Sequence, residues 1–275
     1  MQNINSKPLK KILLRSLSVL VAIYIIGCGY MYFWQESFLF HPEKLKDSHQ
    51  FHFENRFEER TIGVENFPLN ALMFFASEEK SKKVVFYLHG NSGNIQTCGH
   101  VAKSYTDLGY DFFVFDYRGF GKSKGEIDSE DILYSDTQQA YNILKQGYGE
   151  ENIVVIGYSI GTALAAYIAA NNNPRKLILQ APYFSMTDMM KLNYPIVPTF
   201  LLNYKLETYK FVQNCKMPIV IFHGTNDDVI PYGSSIRLKK YLKKDDKLIT
   251  LKGQEHKDIG ENKKLLRNLP NVLNN

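Results

Sequence analysis

The run Ile153-Val154-Val155-Ile156-Gly157-Tyr158-Ser159-Ile160-Gly161, followed by Thr162-Ala163-Leu164-Ala165-Ala166, decides the fold. Four β-branched residues in an unbroken apolar run predict a strand buried on both faces. The small apolar residues of 162–170 predict a helix packed deep against it. Between them stands G-x-S-x-G, a weak pattern alone but one that gains meaning at a strand-turn-helix junction. Glycines on either side allow a turn sharp enough to hold the central side chain in a strained conformation, exposed above a sheet. Ser159 is therefore the expected nucleophile.

Working outward, other apolar runs lie at 72–76, 83–88, 112–115, 177–179, 219–222 and 248–251, with a second helical pattern at 128–145. Short apolar runs alternating with helices predict an α/β fold, a mostly parallel sheet flanked by helices. The stretch 183–215 breaks the alternation: it holds Pro195 and Pro198 among large apolar residues, and reads as a lid over the sheet's carboxyl edge. Its Phe184, Met186, Met189, Met190 and the apolar residues of 192–202 could line a pocket for an apolar acyl chain, although at least half of them should only pack the lid down.

A serine hydroxyl needs a base to take its proton and a carboxylate to hold that base. His256 follows the last expected strand in the loop Gly253-Gln254-Glu255-His256, which would deliver it to the same edge as Ser159. The carboxylate candidates are Asp227 and the adjacent Asp228, just beyond the run 219–222. His89 and His223 precede glycines at strand ends, where backbone packing is the expected role, and His100 falls in a helical stretch.

The chain has 275 residues, 44% hydrophobic and 22% charged, which excludes disordered and collagen-like classes. Of its formal charge of +5, Lys7, Lys10, Lys11 and Arg15 precede the first acidic residue, Glu36, so the remainder is close to neutral. No nucleic-acid partner is expected, because phosphate neutralisation needs a concentrated basic surface. From Arg237 onward there are 11 basic and 5 acidic residues, which read as a solvated helix face. Three cysteines at scattered positions suit neither a disulfide scaffold nor a zinc site. No Walker lysine or dinucleotide fingerprint is present, so no cofactor and no metal are expected.

Residues 16–35 carry no charge, enough for a helix to cross a bilayer, with basic residues before them and Tyr30, Tyr32, Phe33 and Trp34 at the far end. The segment 1–35 is thus expected to be a membrane anchor with its N-terminus cytoplasmic and the folded domain on the extracytoplasmic side. Ile25-Ile26-Gly27-Cys28 also resembles a lipobox, which leaves cleavage and lipidation at Cys28 open. Residues 36–57 read as a connector and 58–275 as the domain.

The order Ser159, Asp227, His256 resembles that of the α/β-hydrolase superfamily over residues 58–270. Leu88-His89-Gly90-Asn91-Ser92-Gly93-Asn94 and Asp116-Tyr117-Arg118-Gly119-Phe120-Gly121-Lys122-Ser123 look like signature loops of membrane-anchored α/β-hydrolase-domain proteins, often grouped with serine aminopeptidase-like hydrolases. Gln35-Glu36-Ser37-Phe38-Leu39-Phe40-His41-Pro42 resembles the phrase that follows their membrane helix. The resemblance implies an oxyanion hole from the backbone amides of Asn91 and Ile160. It favours Asp227, four residues before Pro231, over Asp228, and expects Arg118 to pair internally. It also implies a serine hydrolase for small-molecule or lipidated acyl substrates in contact with membrane lipid, cleaving esters or thioesters. An amidase or aminopeptidase, and a non-catalytic adaptor on the same fold, are the alternatives.

Overall fold

A computed structural model describes residues 7–63 and 67–274, with only the helical backbone given for residues 7–9. Residues 1–6, the start of the expected anchor, and residues 64–66 and 275 of the expected domain lie outside the described residues.

Eight strands form one sheet: β1 (Phe57–Ile62), β2 (Leu69–Phe74), β3 (Val84–Leu88), β4 (Asp111–Phe115), β5 (Ile153–Tyr158), β6 (Lys176–Gln180), β7 (Ile219–Gly224) and β8 (Lys247–Leu251). Their spatial order is β1-β2-β4-β3-β5-β6-β7-β8. β2 runs antiparallel to β1 and β4, and every other pair is parallel. This is the α/β architecture expected from the alternation.

Each apolar run falls on one of these strands, but β1, at the start of the expected domain, has no apolar run to announce it. Of its residues Phe-Glu-Glu-Arg-Thr-Ile only Ile62 is buried, with Glu58, Glu59 and Thr61 exposed, and charge on a sheet's outermost strand discourages pairing with another chain. β2 starts three residues before its apolar run because Asn70 interrupts the pattern; its side-chain Nδ2 donates to Glu59 Oε1 at 2.6 Å. The connector itself is packed: Phe40 and Phe51 are buried, and His41-Pro42 pairs in parallel with Ser92-Gly93.

α3 (Gly99–Thr106) and α9 (Lys263–Asn274) cover one face of the sheet; α4 (Glu130–Tyr148), α5 (Gly161–Asn171), α7 (Thr208–Val212) and α8 (Gly233–Leu238) cover the other. α4 begins where the Ser129 side chain accepts from Ile132 N and ends at Gly149, whose φ of 78° a side chain would resist. α5 is nearly all Gly, Ala, Leu and Ile and almost wholly buried, so it can lie close to β5. α9 buries Leu265, Leu269, Val272 and Leu273, the i, i+4, i+7, i+8 stripe of an amphipathic helix. Each fully buried phenylalanine of the core, such as Phe86, Phe113 and Phe115, contributes roughly 1.5–3 kcal/mol.

Two further helices precede the sheet, α1 (Lys7–Phe33) and α2 (Gln35–Leu39), and one, α6 (Met186–Asn193), follows β6. Within α1, Lys10–Phe33 is long and apolar enough to cross a membrane, and none of its best window is buried in the protein. Segment 183–215 holds α6, a single 3₁₀ turn at Thr199–Leu201 and α7; Pro195 and Pro198 keep the chain between the first two irregular.

Candidate active site

The carboxyl ends of β3, β5 and β6 are in register, Leu88 opposite Gly157 and Tyr158 opposite Gln180, so the loops that follow them converge. At the end of β5 the chain turns sharply into α5. Ser159 sits at φ 53°, left-handed backbone that costs a non-glycine residue about 1–2 kcal/mol. The strain is held by Ser159 N donating to Gln180 O at 3.0 Å and by the Thr162 amide and hydroxyl donating to Ser159 O. A Cβ at Gly157 would strike the carbonyl of Gly161, and one at Gly161 the carbonyl of Leu88, so only glycine lets β3, β5 and α5 approach this closely.

His256 Nε2 lies 3.0 Å from Ser159 Oγ and Nδ1 lies 2.8 Å from Asp227 Oδ2. A carboxylate only accepts, so Nδ1 carries the proton and Nε2 is free to accept from the serine hydroxyl. Tyr158 braces the imidazole from the strand below: the rings stack at 5.4 Å, and its hydroxyl donates to His256 O at 3.1 Å. Of the two candidate carboxylates, Asp227 is buried and meets His256, whereas Asp228 is exposed.

Burial alone would raise the Asp227 pKa. Hydrogen bonds from His223 and His256 and from the amide of Ile230 outweigh it and hold the carboxyl well below the usual carboxylate range. The His223 contact corrects the packing role expected of that residue. His223 is fully buried, and its Nε2 faces two acceptors, Asp227 Oδ2 at 3.2 Å and Ile230 O at 2.9 Å, so that nitrogen bears the proton. Nδ1 then accepts from the Ser235 hydroxyl at 2.6 Å. The signal in the sequence is a histidine ending an apolar strand four residues before the aspartate.

The other histidine at a strand end, His89, packs as expected. It stacks on Tyr117 at 4.2 Å, with Nδ1 2.8 Å from Gly90 O. Its Nε2 is 3.8 Å from Asp116 Oδ1, but the two do not form an ion pair at neutral pH: burial lowers His89 to about 4 and raises Asp116 to about 8. Arg118 is buried against Asp136, donating from Nε at 2.8 Å and from Nη2 at 3.0 Å.

Two cavities meet at Ser159. One, of about 220 Å³, is mostly apolar; Met186, Met190, Leu201 and Leu202 form one wall and Met31 and Phe38 another. The other, of about 560 Å³, has a larger polar share, with Glu43, Lys257, Asp258 and Glu261 in its lining. Asn91, Ser159 and Val229 border both. Among the described residues the backbone amides of Asn91 and Ile160 donate to no other acceptor. Only part of the expected pocket lining from 184–202 faces the apolar cavity: Phe184 stacks on Tyr209 at 4.5 Å, and Ile196 and Phe200 turn outward. The wall contributed by α1 and α2 is not signalled by the sequence, where those residues read only as anchor and connector.

A family model described as serine aminopeptidase, S33, matches residues 79–211. The human alpha/beta hydrolase domain-containing protein 17B is 27% identical over 195 residues, covering 69% of this chain and 65% of that protein. The chain therefore spans just under two thirds of that relative. The protein YfhR of Escherichia coli O157:H7 is 30% identical over 180 residues, 63% of each chain. Among solved structures, an esterase of Pyrococcus furiosus superposes with a TM-score of 0.68 at 16% identity, covering 86% of this chain and 96% of that one. A monoacylglycerol lipase of Paleococcus ferrophilus gives 0.58 at 18% identity over 74% and 98%. With the strand order, the turn at Ser159 and the likeness to these structures, the chain has the α/β-hydrolase fold, and over its centre it is similar to the serine aminopeptidase, S33, family.

Proposed function

We propose that the chain is a serine hydrolase that cleaves a carboxylic ester or thioester with an apolar acyl group, from a domain tethered to a membrane by α1. The observation that carries this reading is the imidazole of His256 bridging Ser159 Oγ and Asp227 where an apolar cavity and a larger one with charged residues in its lining meet. The acyl chain occupies the apolar cavity and the leaving group the larger one. Ser159 Oγ attacks the carbonyl carbon as its proton passes to His256 Nε2. Negative charge on the carbonyl oxygen is met by the amides of Asn91 and Ile160, the second at the N-terminus of α5. Collapse breaks the bond to the alcohol or thiol, which leaves with the proton from His256. Water then gives a proton to His256, attacks the acyl-enzyme, and the carboxylic acid departs as Ser159 recovers its hydrogen. Asp227 stays ionised throughout and holds the imidazolium.

The distribution of lysine and arginine supports an orientation with the basic end of α1 cytoplasmic and the hydrolase domain outside. Among the described residues no carboxylate lines the apolar cavity, so the ammonium of an aminoacyl substrate would be buried there unpaired, which favours esters over an aminopeptidase substrate. A panel of short and long acyl esters, acyl thioesters and aminoacyl amides separates the readings. Faster turnover of long-chain esters or thioesters is expected; preference for aminoacyl amides would replace the ester reading with the peptidase one.

A further inference from the structure

Between Lys191 and Lys205 the chain runs through thirteen residues without a charge, 192–204. In a water-facing loop these apolar side chains would pack inward, yet Leu192 is 58% exposed, Ile196 76% and Phe200 82%. The loop also lies along α1. Tyr24 Oη donates to Ile196 O at 2.8 Å, and Gln35 Oε1 accepts from Asn203 N at 2.8 Å. Tyr204 Oη donates to Glu36 Oε1 at 2.9 Å.

We propose that the loop 192–202 is inserted in the bilayer that α1 crosses, so that the apolar cavity opens to lipid and draws its acyl chain sideways from the membrane. This rests on α1 being a span and on Ser159 being the nucleophile. Helix length forces the choice. From Lys10 to Tyr24 the helix advances about 21 Å, short of the roughly 30 Å of a hydrocarbon core, so a full span must continue past the level of Ile196. The span and a water-facing loop cannot both exist.

Insertion also demands that the loop's backbone be satisfied without water. Pro195 and Pro198 have no N–H, and the amides of Tyr194, Val197, Leu201 and Leu202 donate to carbonyls within 190–199. Tyr24 supplies a donor to the carbonyl of Ile196. Lys191 and Lys205 flank the loop where long basic side chains can reach phosphate headgroups. Met31 and Phe38 on the helical side and Leu201 and Leu202 on the loop side border the cavity. A chain entering between them would pass from lipid to Ser159 without crossing water.

The test uses the full chain reconstituted in phosphatidylcholine vesicles, with Phe200→Trp as the sole tryptophan in a Trp34→Phe background. Blue-shifted emission that brominated acyl chains quench is expected. Emission typical of water-exposed indole, untouched by bromine, would overturn the proposal; so would blue-shifted emission that bromine does not quench, which would mean that a second copy covers the loop. A second arm follows Phe200→Glu. Hydrolysis of a long-acyl ester carried in vesicles should fall about tenfold or more, while a water-soluble short-chain ester is turned over as before. Equal losses on both esters would contradict lateral entry. If the unaltered chain hydrolyses neither ester, the hydrolase reading fails, and the quenching result still decides insertion.

Discussion

Two surfaces meet at Ser159, and they are built on opposite terms. On the sheet side every group is fixed by several partners: Ser159 by Gln180 and Thr162, His256 by Tyr158 and Asp227, Asp227 by two histidines and the amides of Val229 and Ile230. On the side of α1 and α6 the wall is Met31, Met186, Met189 and Met190 with leucines, flexible side chains that adapt to a guest and specify little. Bond-breaking requires atoms held within tenths of an ångström, whereas accommodating an alkyl chain requires only dry volume. Substitutions on the sheet side should therefore change rate for every substrate, and those on the other side should change which substrate is preferred.

The largest effects test the sheet side. His256→Ala and Asp227→Asn should each lower kcat by roughly 10⁴-fold on any ester, while Asp228→Asn stays within about twofold. Comparable losses at both aspartates would erase the distinction between them. His223→Gln should lower kcat roughly 10–100-fold with little change in KM, the cost of removing a hydrogen bond to a buried carboxylate that must stay ionised. Because the Asp227 carboxyl then loses one of the bonds that depress its pKa, the acidic limb of the kcat profile should move to higher pH. A fall in stability with an unmoved profile would make His223 a packing residue.

On the other wall, Met190→Trp fills part of the cavity. It should lower kcat/KM for long acyl esters about tenfold and leave short ones nearly unchanged, which a chain-length series would read. Uniform loss across the series would mean that the two surfaces are not separable.

The smallest effect on catalysis lies behind the site, at Asp116, where the change is in stability. Its folded pKa is raised to about 8, against about 3.9 unfolded, so the folded chain holds a proton that the unfolded chain has released. Stability from this group is therefore full below about pH 4 and declines as pH rises to about 8. Asp116→Asn, which can still accept from Ile95 N, should gain in Tm relative to the unaltered chain from pH 5 to 8, with no further gain above. A constant difference across that range would show that Asp116 is ionised in the folded protein.

The same contrast governs what the sequence discloses. The buried strands and α5 announce themselves because burial on both faces leaves uninterrupted apolar runs, and this fixes the α/β class. The approach of Ser159, Asp227 and His256 can be read because each follows a parallel strand, and parallel strands bring their carboxyl ends to one edge. β1 escapes detection because an outermost strand with an exposed face carries Glu58, Glu59 and Arg60. His223 escapes because a residue's hydrogen-bond partner depends on the turn after its strand, which composition does not reveal. The wall from Met31 and Phe38 is the hardest to foresee: an apolar helix reads as a membrane span whether or not its end also borders a cavity.

The central claim is that Ser159 is the residue acylated. Treating the purified full-length chain with a fluorophosphonate probe and mapping the adduct by peptide mass spectrometry tests it most directly. A single adduct on Ser159, absent from Ser159→Ala, is the expected result; labelling that persists in that variant, or maps to another residue, would contradict it.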